Sequence, residues 1–224
     1  MTLCRLLPLA SLGLLAACAA PSAPNYYTLV PDAPARAASV QARARAGVVD
    51  LLPITVPAPV DTPQMVIRTG QGEVMPLNGE RWAGPLADEI WSALAGRLAT
   101  GLGMPVVRDL RPDDQTPVLR VQVEVQRFDS LPGKQAVLDV VWRVRPVPGP
   151  GGRAGQARAS AAQSGARTPD GAGMAPVCRS HFETAAVAGM PALVQAHQYN
   201  LAALGDAIAA AARAAEAGRP TCPD

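Results

Sequence analysis

Large aromatic side chains are scarce in this chain: three Trp, three Tyr and two Phe make up 4% of 224 residues. There are only two histidines, and the lack of them removes most hydrolytic and metal chemistry. Cys178 and His181 stand at half of a metal-ligand spacing, but no second pair of ligands exists. His197 falls in the apolar register of a helix and reads as a packed or rim residue, not a base. Asp88 and Glu89 are neighbours on a helix, project about 100° apart and cannot work as a paired acid and base. Ser92 and Ser180 have no partner at a recognisable spacing, and the glycines at 149–152 lack the junction and Lys-Ser/Thr of a phosphate loop. The expectation is no catalytic residue, no metal and no enzyme. Excess charge is missing too: a net +2 is far from the clustered basic face that nucleic acid requires. Beyond the N-terminus no apolar run reaches the roughly 18 residues of a spanning helix.

What the chain does have begins at that N-terminus. Arg5 is followed by an apolar stretch from Leu6 to Leu15 and then by Ala16, Ala17 and Cys18. A charged start, an apolar centre and small residues at the cut are the layout of a secretory signal. Cysteine directly after Leu-Ala-Ala resembles the lipobox of bacterial lipoproteins. The resemblance implies that residues 1–17 are removed and that Cys18 carries an S-diacylglycerol and an N-acyl chain, with no other cofactor. Each buried methylene contributes about 0.8 kcal/mol, so such chains hold a protein to a membrane. Loss of Arg5 lowers the net charge to about +1. Cys4 leaves with the signal, so Cys178 and Cys222 remain. An even pair in an oxidising compartment makes a disulfide the default, closing a loop of about 45 residues; two unpaired thiols are the alternative.

Along the rest of the chain, residues 18–25 read as a lipidated tether and 26–224 as a single α+β domain. Tyr26 to Leu29 reads as a first strand, and Gly47 to Val56 as a second, interrupted by Pro53. Gln64 to Thr69 and Glu73 to Asn78 flank Gly70-Gln71-Gly72 as a hairpin. Pro85 opens a helix in which Leu86, Ile90, Leu94 and Leu98 form a stripe, stopped by Gly101 and Gly103. From Leu119 to Gln126 odd positions are apolar and even ones polar, a half-buried strand. Ser130 to Lys134 turns it into a strand from Val137 to Arg145. Residues 146–176 form a low-complexity insertion with almost no large apolar residue. A strand follows over Val177 to Val187, then a helix from about Pro191 to Glu216. Trp82 and Trp91 suit either an interface or ordinary packing. The sum is a two-layer sandwich, an antiparallel-rich mixed sheet with two long helices on one face.

Two segments together resemble the signature of the ABC-type transport auxiliary lipoproteins: Val60-Asp61-Thr62-Pro63-Gln64-Met65-Val66-Ile67-Arg68 and Glu80-Arg81-Trp82-Ala83-Gly84-Pro85-Leu86. Tyr26-Tyr27-Thr28-Leu29 and the order of elements are similar as well. The resemblance implies an accessory role in an envelope-spanning lipid transport system, with a mammalian-cell-entry-domain protein as partner and homo-oligomers as a family habit. Asp61, Pro63, Gln64, Met65, Arg68, Arg81, Trp82 and Pro85 would be the family-typical surface or hinge. Gly84 stands where an acidic residue is common, which weakens any charge pairing there. Retention at the inner membrane often depends on Asp after the acylated cysteine, and Ala19 at that position favours the outer membrane, on its periplasmic face. The expected function is docking and assembly. The competing readings are a periplasmic lipid-carrying module with its own apolar cavity, an envelope hydrolase marked by a Ser, His and acidic cluster, and a peptidoglycan-binding lipoprotein.

Overall fold

In a computed structural model the described residues are 23–32, 46–70, 72–110, 116–147 and 175–223. The signal segment 1–17, the acylation site Cys18 and most of the 146–176 insertion lie outside them. The elements in chain order are β1 (Asn25–Tyr27), β2 (Val48–Leu51), a 3-10 turn (Ala58–Val60), β3 (Gln64–Arg68), β4 (Val74–Trp82), α1 (Leu86–Leu102), β5 (Val106–Val107), β6 (Val118–Leu131), β7 (Gln135–Val147), β8 (Cys178–Ala185) and α2 (Met190–Glu216). The fold is α+β, as the pattern predicts, but the strands divide into two sheets. One has the order β1-β4-β3 and the other β5-β2-β6-β7-β8. The first strand starts one residue earlier than expected, at the end of the tether, and the second stops at Leu51, before Pro53.

The long hairpin β6–β7 is the frame. Its odd positions Leu119, Val121, Val123 and Val125 are buried, facing the helices across the sheet. At Gln126 a bulge shifts the register, so Val125 pairs with Val140 and Arg127 with Asp139. One inserted residue moves every later side chain to the opposite face. Phe128 and Ser130 therefore turn into the core, and Asp129 points the other way. This explains why the alternation legible in sequence stops at Gln126 although the strand runs to Leu131. The hairpin closes where Lys134 N–H donates to Leu131 O (3.0 Å) and Gly133 takes a positive φ of 70°, a conformation glycine adopts without strain.

Helix α1 buries Leu86, Ile90, Leu94, Leu98 and Leu102, and α2 buries Leu193, Leu201, Leu204 and Ile208. The two helices pack on each other through small residues. A Cβ on Gly205 would stand 2.6 Å from Arg97 Cγ, so glycine there sets how closely the helices approach. Arg97 then reaches Asp206, with Nε donating to Oδ1 at 2.8 Å. No helix of the described residues is long and apolar enough to cross a membrane.

Cys178 and Cys222 are joined in a disulfide that ties the tail after α2 to β8. Closing a loop of 44 residues stabilises the fold by about 3–4 kcal/mol in the chain-entropy picture. Cys222→Ser is expected to lower the unfolding free energy by about 2–4 kcal/mol, read from urea midpoints with and without reductant. Equal midpoints would show that the bridge does not contribute to stability.

Candidate functional site

Two chain segments far apart in sequence meet at one end of the small sheet. β3 and β4 are antiparallel, but the pairing jumps from Met65–Leu77 to Gln64–Arg81. Three residues of β4, Asn78, Gly79 and Glu80, are thus unmatched and the strand bends. The bend carries Arg81 and Trp82 over to Pro63, whose carbonyl accepts the Trp82 N–H (3.0 Å). β1 adds on the other side, parallel, with Tyr26 opposite Arg81 and Tyr27 opposite Trp82. Glu80 accepts from Asn25 Nδ2 at 3.2 Å and from the Tyr27 hydroxyl; burial and that carboxylate raise the phenol's pKa.

The result is a groove of about 520 Å³ lined by Tyr26, Asp61, Pro63, Arg81, Trp82 and Pro85, with smaller residues between them. Tyr26 is 63% exposed at its rim. Trp82 forms the floor: it is buried, and its ring meets Phe128 edge-on at 6.0 Å. Arg81 is half-buried, and its Nε has no hydrogen-bond partner among the described residues. Pro85 precedes α1, and its carbonyl accepts the N–H groups of Asp88 (2.9 Å) and Glu89 (3.0 Å). Glu89 in turn accepts from Thr28 Oγ1 (2.7 Å) and Leu29 N–H (2.9 Å), fastening the chain after β1 to the helix. A Cβ at Gly84 would meet Glu89 Oε1 at 3.3 Å. Glu89 thus lies close to Gly84 in the first helical turn, where the helix dipole favours a carboxylate.

Of the eight motif residues, Asp61, Pro63, Arg81, Trp82 and Pro85 line this groove. Gln64 lies beside it, opposite Arg81. Met65 and Arg68 do not belong to it. Met65, expected at a surface or hinge, is fully buried, because β3 presents it to the core. Arg68 sits at the far end of β3 and makes a two-pronged bond to Asp129 on the large sheet, Nε to Oδ2 and Nη2 to Oδ1, both 3.0 Å. Arg127 donates to the same carboxylate. Burial alone would raise the Asp129 pKa, but the hydrogen bonds and charges of the two arginines outweigh it and hold it below the usual carboxylate value. Trp91 is a packing residue, donating to Leu51 O (2.9 Å) under the Arg108 guanidinium.

The bulge also brings Ser130, His197 and Asp129 close, the constellation expected of a hydrolase. His197 Nε2 lies 2.9 Å from Ser130 Oγ. The imidazole is fully buried and stacked on Phe128 (4.0 Å), and its Nδ1 has no partner among the described residues. Asp129 therefore does not orient the ring, and neither side chain is open to a substrate. Burial pushes the imidazole pKa down to about 3, opposed by the Asp129 charge. An imidazole of so low a pKa is too weak a base to take a proton near pH 7. The pair is a polar element of the core. Cys178 is in the disulfide and His181 Nδ1 meets Asp139 on the outer face, so the metal-like spacing separates across the strand. Among the described residues no cluster of three or more metal-ligating side chains occurs.

Fold and groove together define a small α+β protein with an open groove built from separate segments of the chain. The chain belongs to the ABC-type transport auxiliary lipoprotein component family, whose model matches residues 27–209. No curated protein matches it. Among solved structures it is similar to an uncharacterised protein at 16% identity and a TM-score of 0.55, covering 84% of this chain and 98% of that one. It is also similar to a Xanthomonas campestris protein of the DUF330 family, at 14% identity and a TM-score of 0.51, covering 79% and 89%. At such identities the likeness is one of fold.

Two consequences are measurable. His197 stays neutral in the folded chain, while the unfolded chain takes up a proton below about pH 6.5. Stability should fall as pH drops from 6.5 towards 3, by about 1.4 kcal/mol per unit from this group. Urea unfolding at pH 7 and 4.5 should therefore differ by about 2–3 kcal/mol more in the native chain than in His197→Gln; equal differences would refute the assignment. A double-mutant cycle of Arg68→Ala and Asp129→Asn should give a coupling of about 1–2 kcal/mol, since truncating Arg68 leaves a buried carboxylate with one partner. Additive effects would mean that the two sheets are held otherwise.

Proposed function

We propose that this chain is a non-enzymatic docking lipoprotein of a lipid transport system, held by acyl groups on Cys18 at the periplasmic face of the outer membrane. Its partner is a mammalian-cell-entry-domain protein, and the groove beneath Tyr26 is the surface that meets it. The observation that carries this reading is the convergence of five motif residues on one open groove at the N-terminal end of the domain. Cys18 precedes β1 by seven residues, and a chain of that length spans at most about 25 Å. The groove is thereby kept close to the bilayer, where the end of a transport conduit would arrive. The mechanism is positional: the acyl chains supply residence at the membrane and the groove supplies register. The Cys178–Cys222 bridge suits an oxidising periplasm.

A photo-crosslinking residue placed at Asp61, on the groove, and at Arg143, exposed on β7 of the large sheet, tests this in intact envelopes. The expected result is a covalent adduct with a mammalian-cell-entry-domain protein from position 61 and none from 143. Adducts from both positions, or from neither, would overturn the assignment of the groove.

A further inference from the structure

The opposite end of β3 carries a second concavity of different chemistry. A cleft of about 770 Å³ lies between the β3–β4 hairpin and the β6–β7 turn, with Arg68, Arg127 and Lys134 on its walls and Ile67, Leu131 and Pro132 between them. Arg68 and Arg127 share Asp129, and Arg127 is also 3.9 Å from Asp139. Lys134 is exposed and has no acidic partner among the described residues. Glu73, the acid of the neighbouring hairpin, is occupied by Thr69 Oγ1. The cleft walls thus carry three cations, two of them paired with Asp129 behind the cleft and one, Lys134, without an acidic partner among the described residues.

Ile67, Arg68 and Arg127 are common to this cleft and to a slot of about 120 Å³ that runs between the two sheets. The slot changes character: Pro57, Val60, Val66, Val74 and Phe128 put apolar surface on its walls, beside Gln126, Asp129 and Ser130. A cationic mouth that shares walls with a slot of mainly apolar side chains matches an amphiphile whose anionic group leads and whose carbon chain follows. Free phosphate would use the mouth alone, and a hydrophobic peptide would leave Lys134 unanswered.

We propose that the cleft and slot together bind the phosphate-bearing head of an anionic phospholipid. Lys134 and Arg127 contact the phosphate, Arg68 holds the site between the sheets, and the slot receives the start of an acyl chain. The physiological meaning rests on the lipid-transport reading, with lipid touching this protein at a place separate from the docking groove. Arg68, the motif residue that stands apart from the groove, then has a role of its own: it joins the sheets and faces the cleft.

Full-length acylated protein in maltoside detergent, titrated calorimetrically with dihexanoyl phosphatidylglycerol, tests the site. Saturable binding is expected, with Kd raised about tenfold by Lys134→Gln and unchanged by Arg143→Gln, which removes an equal charge elsewhere. Inorganic phosphate and dihexanoyl phosphatidylcholine are expected to bind far more weakly. Phosphate binding as tightly as the lipid would reassign the site to a free anion and overturn the lipid proposal. Absence of saturable binding, or equal loss in Lys134→Gln and Arg143→Gln, would overturn it too. Neither variant touches the groove, so the crosslink from position 61 reports on docking whether or not lipid binds here.

Discussion

Asp129 is 7% exposed, yet two arginines keep it ionised, and much of the molecule is arranged around that fact. A buried carboxylate without partners would cost several kcal/mol, and Arg68 and Arg127 reduce that cost by forming charge-assisted hydrogen bonds. Arg68 comes from the small sheet and Asp129 from the large one, so the same contact fastens the sheets together. On the other side of β6, the residues next to Asp129 face inward. Phe128 stacks on His197 and meets Trp82, linking the floor of the groove to helix α2. The bulge at Gln126 sends these neighbours to opposite faces.

This arrangement gives the protein two ends of different chemistry. One end, where the tether enters, has an aromatic- and proline-lined groove braced by Glu89. The other has a cationic cleft beside a slot whose apolar walls are broken by Asp129, Ser130 and Gln126. β3 and β4 run between them, so the small sheet is both spacer and scaffold. The helices contribute the core beneath but little of either surface, apart from Pro85 at the start of α1. The disulfide, the helix contact at Gly205 and the Arg97–Asp206 pair restrain elements that line neither concavity.

The buried Ser130–His197 pair illustrates how residue proximity can mislead. Chemical types alone suggest an envelope hydrolase, yet the imidazole is sealed from solvent, unoriented at Nδ1 and depressed in basicity by burial. Environment, not identity, decides the role of the side chain, and here the environment makes it a packing group with a hydrogen bond.

Much was legible in the chain itself. Alternation over Leu119–Gln126, the spacing of Leu86, Ile90, Leu94 and Leu98, and the turn residues Gly133 and Pro132 determined the main strands and helices, because local periodicity follows which face meets the core. Five residues of the two segments singled out by family resemblance line one groove, and cysteine arithmetic made the Cys178–Cys222 bridge the default. Tertiary structure alone decided the rest. The division into two sheets, the parallel pairing of β1 with β4 and the short β5 depend on partners distant in sequence. Met65 went to the core and Arg68 to Asp129 although both stand in the same motif as Asp61 and Pro63. The bulge at Gln126 hid Asp129 behind a broken alternation, and no local pattern reports which distant strand will cover it. Local sequence sets the period of an element; where its faces point is settled only when the other elements have packed against it.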